Sequence, residues 1–82
     1  MSVKQNKFEV NSNKIKALRA EFSITQIDMA KLLDINPITY QRKEAGESHF
    51  SLIEAKKMAD YFNMEIENVF FAPKVNKKEH IL

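Results

Sequence analysis

Residues 25–46 read TQIDMAKLLDINPITYQRKEAG, and this stretch decides the fold. Thr25 can accept from the backbone of Asp28 while Asp28 reaches back, a capping box in a shorter acidic variant that opens a helix. Met29, Ala30 and Leu33 then share one face at helical spacing. Asp34 follows, a residue that tolerates the left-handed backbone a tight turn demands. Asn36 and Pro37 start a second helix, with Asn at the N-cap and Pro at the first helical position, where its missing N–H costs nothing. That helix runs Ile38-Thr39-Tyr40-Gln41-Arg42-Lys43-Glu44 and stops at Gly46, the only glycine of the chain. The stretch therefore predicts two short helices joined by a three- to four-residue turn.

Outward from this pair, the apolar spacing predicts three further helices. Upstream, Asn11, Ser12 and Asn13 are N-cap candidates for a helix carrying Ile15, Leu18 and Phe22 on one stripe. Downstream, Ser51 and Glu54 form a second capping box, with Phe50 and Ala55 at staple positions. Leu52, Ala55, Met58, Ala59 and Phe62 form the stripe of that fourth helix, and Asn63 can end it in the left-handed conformation. A fifth helix over about 65–71 buries Ile66, Val69 and Phe70. Phe8-Glu9-Val10 and Ala72 to Val75 alternate like short terminal strands. The expected architecture is all-α, five compact helices, with an arm over 1–12, a domain over 13–71 and a polar, basic tail over 72–82.

Composition narrows what such a domain can do. The chain has 82 residues, enough for one domain only. With no cysteine, disulfides, thiolate metal sites and a cysteine nucleophile are excluded. The two histidines, His49 and His80, have no metal-ligand spacing, and Ser48 beside His49 makes no triad because adjacent side chains diverge. No enzyme, no cofactor and no metal are expected. No apolar run approaches the roughly 20 residues that span a membrane, so a cytoplasmic chain is expected, on the nucleoid when DNA-bound. A net charge of +2 is compatible with nucleic-acid binding without demanding it.

The joint register of these residues resembles the Cro and phage-repressor (XRE-type) helix-turn-helix family, whose domain is lambda-repressor-like. The resemblance covers about 13–71. Gln26 stands at the family's helix-two glutamine, Ala30 at its small contact residue, and Leu33 and Ile35 at the apolar pair around its turn. Glu44 and Gly46 stand at the motif's end. The runs Phe50 to Asp60 and Ile66 to Phe71 are similar too. Three residues depart from the pattern. Asp34 replaces the turn glycine. Tyr40 replaces Ile or Val, so a larger ring must fit or its hydroxyl must reach solvent. Lys43 replaces Trp or Leu, which should leave that position partly exposed.

The resemblance implies a sequence-specific DNA-binding transcriptional regulator, Cro-like or a single-domain repressor, that takes a palindromic operator as a homodimer. Its groove-facing residues would be Pro37, Ile38, Thr39, Gln41, Arg42 and Lys43. Arg42 can take guanine bidentately, and Gln41 can take adenine or a phosphate. Ile38 and Thr39 can meet thymine methyls. Gln26 and the amides beside it would hold a phosphate. Ser48 and His49 either touch the DNA backbone or form a solvated loop. Lys14, Lys16, Lys31, Lys56 and Lys57 read as solvated helix faces, and the tail lysines as solubilising. Arg19 and Glu44 match the family's structural pair that fixes the recognition helix on helix one. Ile66, Val69, Phe70 and Phe71 exceed what a short helix needs for its own core and are expected to form the dimer surface. Two other classes stay open. One is an antitoxin-type module that holds a protein partner through the fifth helix as well as DNA. The other is an interaction protein that has lost DNA binding.

Overall fold

The computed structural model describes residues 10–71. They form five helices: α1 (Ser12–Glu21), α2 (Gln26–Leu33), α3 (Pro37–Glu44), α4 (Leu52–Phe62) and α5 (Ile66–Phe70). Among the described residues there is no strand. Of the two expected terminal strands, Phe8, Glu9 and 72–75 lie outside the described residues, as does the rest of the tail.

Each of the four longer helices starts where a side chain replaces a missing backbone partner. Asn11 accepts from Lys14 N–H, Thr25 from Asp28, Asn36 from Ile38 and Ser51 from Glu54. Both capping boxes are complete: Asp28 and Glu54 reach back to the N–H groups of Thr25 and Ser51. A helix N-terminus leaves four donors unpaired, so each such cap contributes about 1 kcal/mol.

The same four helices end in one way. Ser23, Asp34, Gly46 and Asn63 have φ of 54°, 59°, 87° and 58°. Each donates its N–H to a carbonyl three residues back, and the following residue donates to one five back: Ile24 to Arg19, Ile35 to Ala30, Glu47 to Arg42 and Met64 to Ala59. This is the Schellman arrangement. Only one of the four left-handed positions is a glycine. Asp34 and Asn63 tolerate that backbone through their short polar side chains, whereas Ser23 is less suited to it.

The core collects one stripe from each helix: Ile15 and Leu18, then Met29, Ala30 and Leu33, then Tyr40, then Ala55, Met58, Ala59 and Phe62, and finally Val69 and Phe70. α2 packs on α3 and α4, and α5 packs on α4 and α1. The N–H of Asn11 donates to Phe70 C=O at 2.8 Å, which ties the start of α1 to the end of α5. A run of rings, Tyr40 to Phe50 to Phe70, crosses the core with centroids 6.0 and 5.2 Å apart.

Substitution at the left-handed ends tests this account. Asp34→Val should cost about 1–2 kcal/mol because a β-branched side chain cannot relax there. Thermal unfolding should register roughly 4–8 °C per kcal/mol in a domain of this size. Ser23→Gly should instead raise the melting temperature.

Candidate nucleic-acid interface

α3 has only two fully buried side chains, Tyr40 and Glu44, one turn apart. Pro37, Ile38, Gln41 and Arg42 are exposed, Ile38 by 60%. Spacings of three and four residues (38 to 41, 38 to 42, 37 to 41) place these four on one outward face. Thr39 and Lys43 are half-buried and flank it.

The inward face is held by charge and hydrogen bonds as much as by apolar contact. Glu44 is 1% exposed, the only buried charged residue among those described. Its Oε2 accepts from Arg19 Nε at 2.7 Å and from the Tyr40 hydroxyl at 2.7 Å. Its Oε1 accepts from Gln26 Nε2 at 2.8 Å and from Arg19 Nη2 at 3.2 Å. A carboxylate offers about four lone-pair sites, and all four are taken. The Ser12 hydroxyl donates to the Glu44 backbone carbonyl at 2.5 Å, and Arg19 Nη1 reaches Ile24 C=O at 3.4 Å. α3 is thus tied to α1 through Arg19 and Ser12 and to α2 through Gln26.

Titration follows this geometry. Burial pushes the Glu44 carboxyl upward, but hydrogen bonds from Arg19, Tyr40 and Gln26 together outweigh it and hold the carboxyl below its ordinary range. The hydrogen bond to Glu44 raises Arg19, and burial with the same carboxylate raises the Tyr40 phenol. All three keep their neutral-pH charge states.

The remaining candidate residues are placed as follows. Gln26 is half-buried at the first position of α2. Its Oε1 accepts from Gln41 Nε2 at 3.4 Å, which brings the two glutamines together. Arg42 projects from the outer face. Lys43 turns away from that face: Nζ donates to Glu54 Oε1 at 2.6 Å, a half-buried bridge to α4. Despite the penalty of burial, the Lys43 contact and the Ser51 N–H hold the Glu54 carboxyl below its ordinary range. Ser48 is half-buried and His49 exposed in the α3–α4 connection, where His49 lines an apolar groove. The Tyr40 hydroxyl does not reach solvent; the ring fits and the hydroxyl finds Glu44.

One group is corrected in part. Val69 and Phe70, expected both in the core of α5 and in a dimer surface, are 0% and 3% exposed, inside the chain's own core. Only Ile66 and Phe71 remain partly accessible. They line the groove of about 390 Å³ with Val10, Phe50 and Leu52, and Leu52 is 76% exposed.

Two helices joined by a tight left-handed turn, the second presenting an exposed outer face from a locked inner one, define a helix-turn-helix domain. Residues 15–68 match the helix-turn-helix family, and the chain belongs to that family. It is 40% identical over 58 residues to an uncharacterized HTH-type transcriptional regulator of Methanocaldococcus jannaschii, spanning 71% of this chain and 88% of that one. A second such regulator, from Archaeoglobus fulgidus, is 39% identical over 57 residues, 70% of this chain and 80% of the relative. Among solved structures, a transcriptional regulator from Listeria innocua superposes with a TM-score of 0.71 at 18% identity, covering 85% of this chain and 67% of that chain. The SOS-response transcriptional repressor LexA from Eubacterium rectale gives 0.67 at 25% identity, covering 79% and 69%.

Removing the carboxylate tests the lock. Glu44→Gln should cost about 3–5 kcal/mol at neutral pH, because it leaves Arg19 without its counter-charge. A depressed carboxyl contributes stability that is full above its unfolded value and is lost as pH falls through the folded one. Urea unfolding of the native chain should therefore weaken below about pH 4.5, with a shallower acid limb in Glu44→Gln. Tyr40→Phe should cost about 1–3 kcal/mol, since one carboxylate lone pair loses its donor.

Proposed function

We propose that this chain is a DNA-binding transcriptional regulator, not an enzyme, that reads a palindromic operator as a homodimer by inserting α3 into the major groove. The observation that carries this reading is the division of α3 into a locked inner face and an open outer one. A helix fits the major groove, which is about 12 Å wide, and its exposed side chains then meet base edges. Arg42 supplies a fork for guanine, Gln41 an amide for adenine, and Ile38 an apolar surface for thymine methyls. Pro37 brings no N–H, so the start of the helix reads mainly by apolar contact. The free N–H groups at the start of α2, with Gln26 beside them, suit a phosphate.

One short helix and a net charge of +2 give few phosphate contacts, and two copies on half-sites about 34 Å apart would multiply them. The groove bounded by Leu52, Ile66 and Phe71 is the surface best suited to a second copy, because Leu52 is largely exposed at it beside the partly buried Val10, Phe50, Ile66 and Phe71. A chain acting on an operator works in the cytoplasm, on the nucleoid when bound. The same groove also suits a different protein chain, as in an antitoxin-type module; co-purification of a second polypeptide would favour that reading.

Gel shifts against the DNA upstream of the protein's own gene should show salt-sensitive, sequence-dependent binding. Its absence removes the operator reading. Arg42→Ala should lose about 1–3 kcal/mol of discrimination at one base pair per half-site; an equal loss on every sequence would make Arg42 a phosphate contact. Leu52→Glu, which puts an acid at a helix N-terminus where it is tolerated, should shift a dimer toward monomer in sedimentation. An unchanged mass takes the groove out of the interface.

A further inference from the structure

We propose that Lys43 is a positioning residue for the dimer: its bridge to Glu54 fixes α3 relative to the surface that receives a second copy, and so sets the half-site spacing the protein accepts. The proposal rests on the reading of the chain as a homodimer that docks at the Leu52 groove and enters DNA with α3.

Two reading helices related by a two-fold axis have to match the pitch of the duplex. One base pair more or less between half-sites moves the second site by about 3.4 Å and turns it by about 35°. The accepted spacing is therefore only as sharp as the connection, within each copy, between reading helix and docking surface. In this chain α3 carries the reading face. The start of α4 carries the docking surface, since Phe50, Ser51 and Leu52 line the apolar groove.

These two helices share little direct packing: α3 packs on α2, and α4 packs on α2 and α5. The chain between them turns through Gly46 in the left-handed backbone. Among the described residues, one hydrogen-bonded ion pair joins α3 to α4, from Lys43 Nζ to Glu54 Oε1 at 2.6 Å. The same oxygen accepts from Ser51 N–H at 2.8 Å, and Ser51 Oγ accepts from Glu54 N–H at 3.0 Å. Through one atom, Lys43 thus holds the backbone of a residue that lines the groove.

The bridge is suited to that task. Its carboxylate is already ordered by the capping box, so the bridge costs only the freedom of Lys43. The two side chains are 15% and 13% exposed, and a pair so covered is screened by salt much less than a surface pair. Without the ammonium, the connection to α3 keeps the contact between the Tyr40 and Phe50 rings, with centroids 6.0 Å apart. That contact lacks the direction of a charge-assisted hydrogen bond.

The test is selection by the full chain from a duplex pool. A random pool first yields the native half-site, and a second pool then holds two half-sites at varied separation. The native chain should enrich one separation over those one base pair shorter and longer. Lys43→Met keeps a long, helix-compatible stem and removes the charge. It should reduce that preference roughly two- to fivefold and leave the base frequencies within each half-site as they are. Glu54→Gln keeps an acceptor for Ser51 N–H in the capping box and should broaden the spacing in the same way. The double variant should be no broader than the broader single one, since both remove one interaction. A Lys43→Met profile equal to the native one overturns the proposal and leaves the operator reading standing. An equal loss at every separation, or a changed base preference within the half-site, makes Lys43 a DNA contact and overturns it as well. Additive broadening in the double variant means two independent effects and does the same. A native pool without paired half-sites removes the dimeric operator reading, and the proposal with it.

Discussion

The structure depends on one carboxylate. Glu44 gathers donors from three helices onto two oxygen atoms. Burying an unpaired charge would cost far more than a small domain can spare, since total stability is only about 5–15 kcal/mol. Here every lone pair has a donor, so the cost of desolvation is offset where it arises. Apolar packing would not fix α3 in the same way. An eight-residue helix with two buried side chains can slide or roll on a greasy surface. Four directional bonds to one carboxylate permit a single arrangement.

The other restraints on α3 act at its ends and on its flank. Asn36 and Pro37 set its first turn, while Gly46 and Glu47 return their N–H groups to the last carbonyls. Lys43 ties its flank to α4 through Glu54, and that carboxylate also caps α4. A single acid therefore serves two helices: it closes the α4 capping box and holds the side of α3. Pro37, Ile38, Gln41 and Arg42 form a face that stays outside the core. A rigid helix with such an exposed face loses little freedom on meeting a ligand.

Much of this was legible in the sequence, for identifiable reasons. All four N-caps, the two capping boxes and the left-handed ends at Asp34, Gly46 and Asn63 are local features, and local chemistry names them. Ser23 was read only as an end to the first helix, because serine carries no strong left-handed signal. Tyr40 was the missed signal. Tyr40 and Glu44 are four residues apart on one helix face, the spacing at which side chains meet, yet the ring was weighed as a packing problem and its hydroxyl left without a partner. The Gln26 contacts were out of reach, since they join residues 15 and 18 positions apart. The burial of Val69 and Phe70 was legible in the spacing, but both were also counted toward a dimer surface, because spacing does not show that the five-residue α5 packs against both α1 and α4.

The exposed apolar side chains divide by their surroundings, and the division bears on what each meets. Phe22 and Tyr61 are moderately exposed, but their rings lie 5.9 Å apart and both contact Phe62, so they already satisfy one another. Ile38 stands beside Gln41 and Arg42, among groups that hydrogen-bond, and an isolated aliphatic there suits a methyl on an otherwise polar edge. Leu52 has the opposite setting: Val10, Phe50, Ile66 and Phe71 share its groove. A lone exposed leucine needs no explanation, but one at the rim of an apolar groove gains by being covered. Ile38 is in the first turn of α3 and Leu52 in the first turn of α4. A second protein chain resting on Leu52 and a duplex meeting Ile38 would thus call on different helices of one small domain.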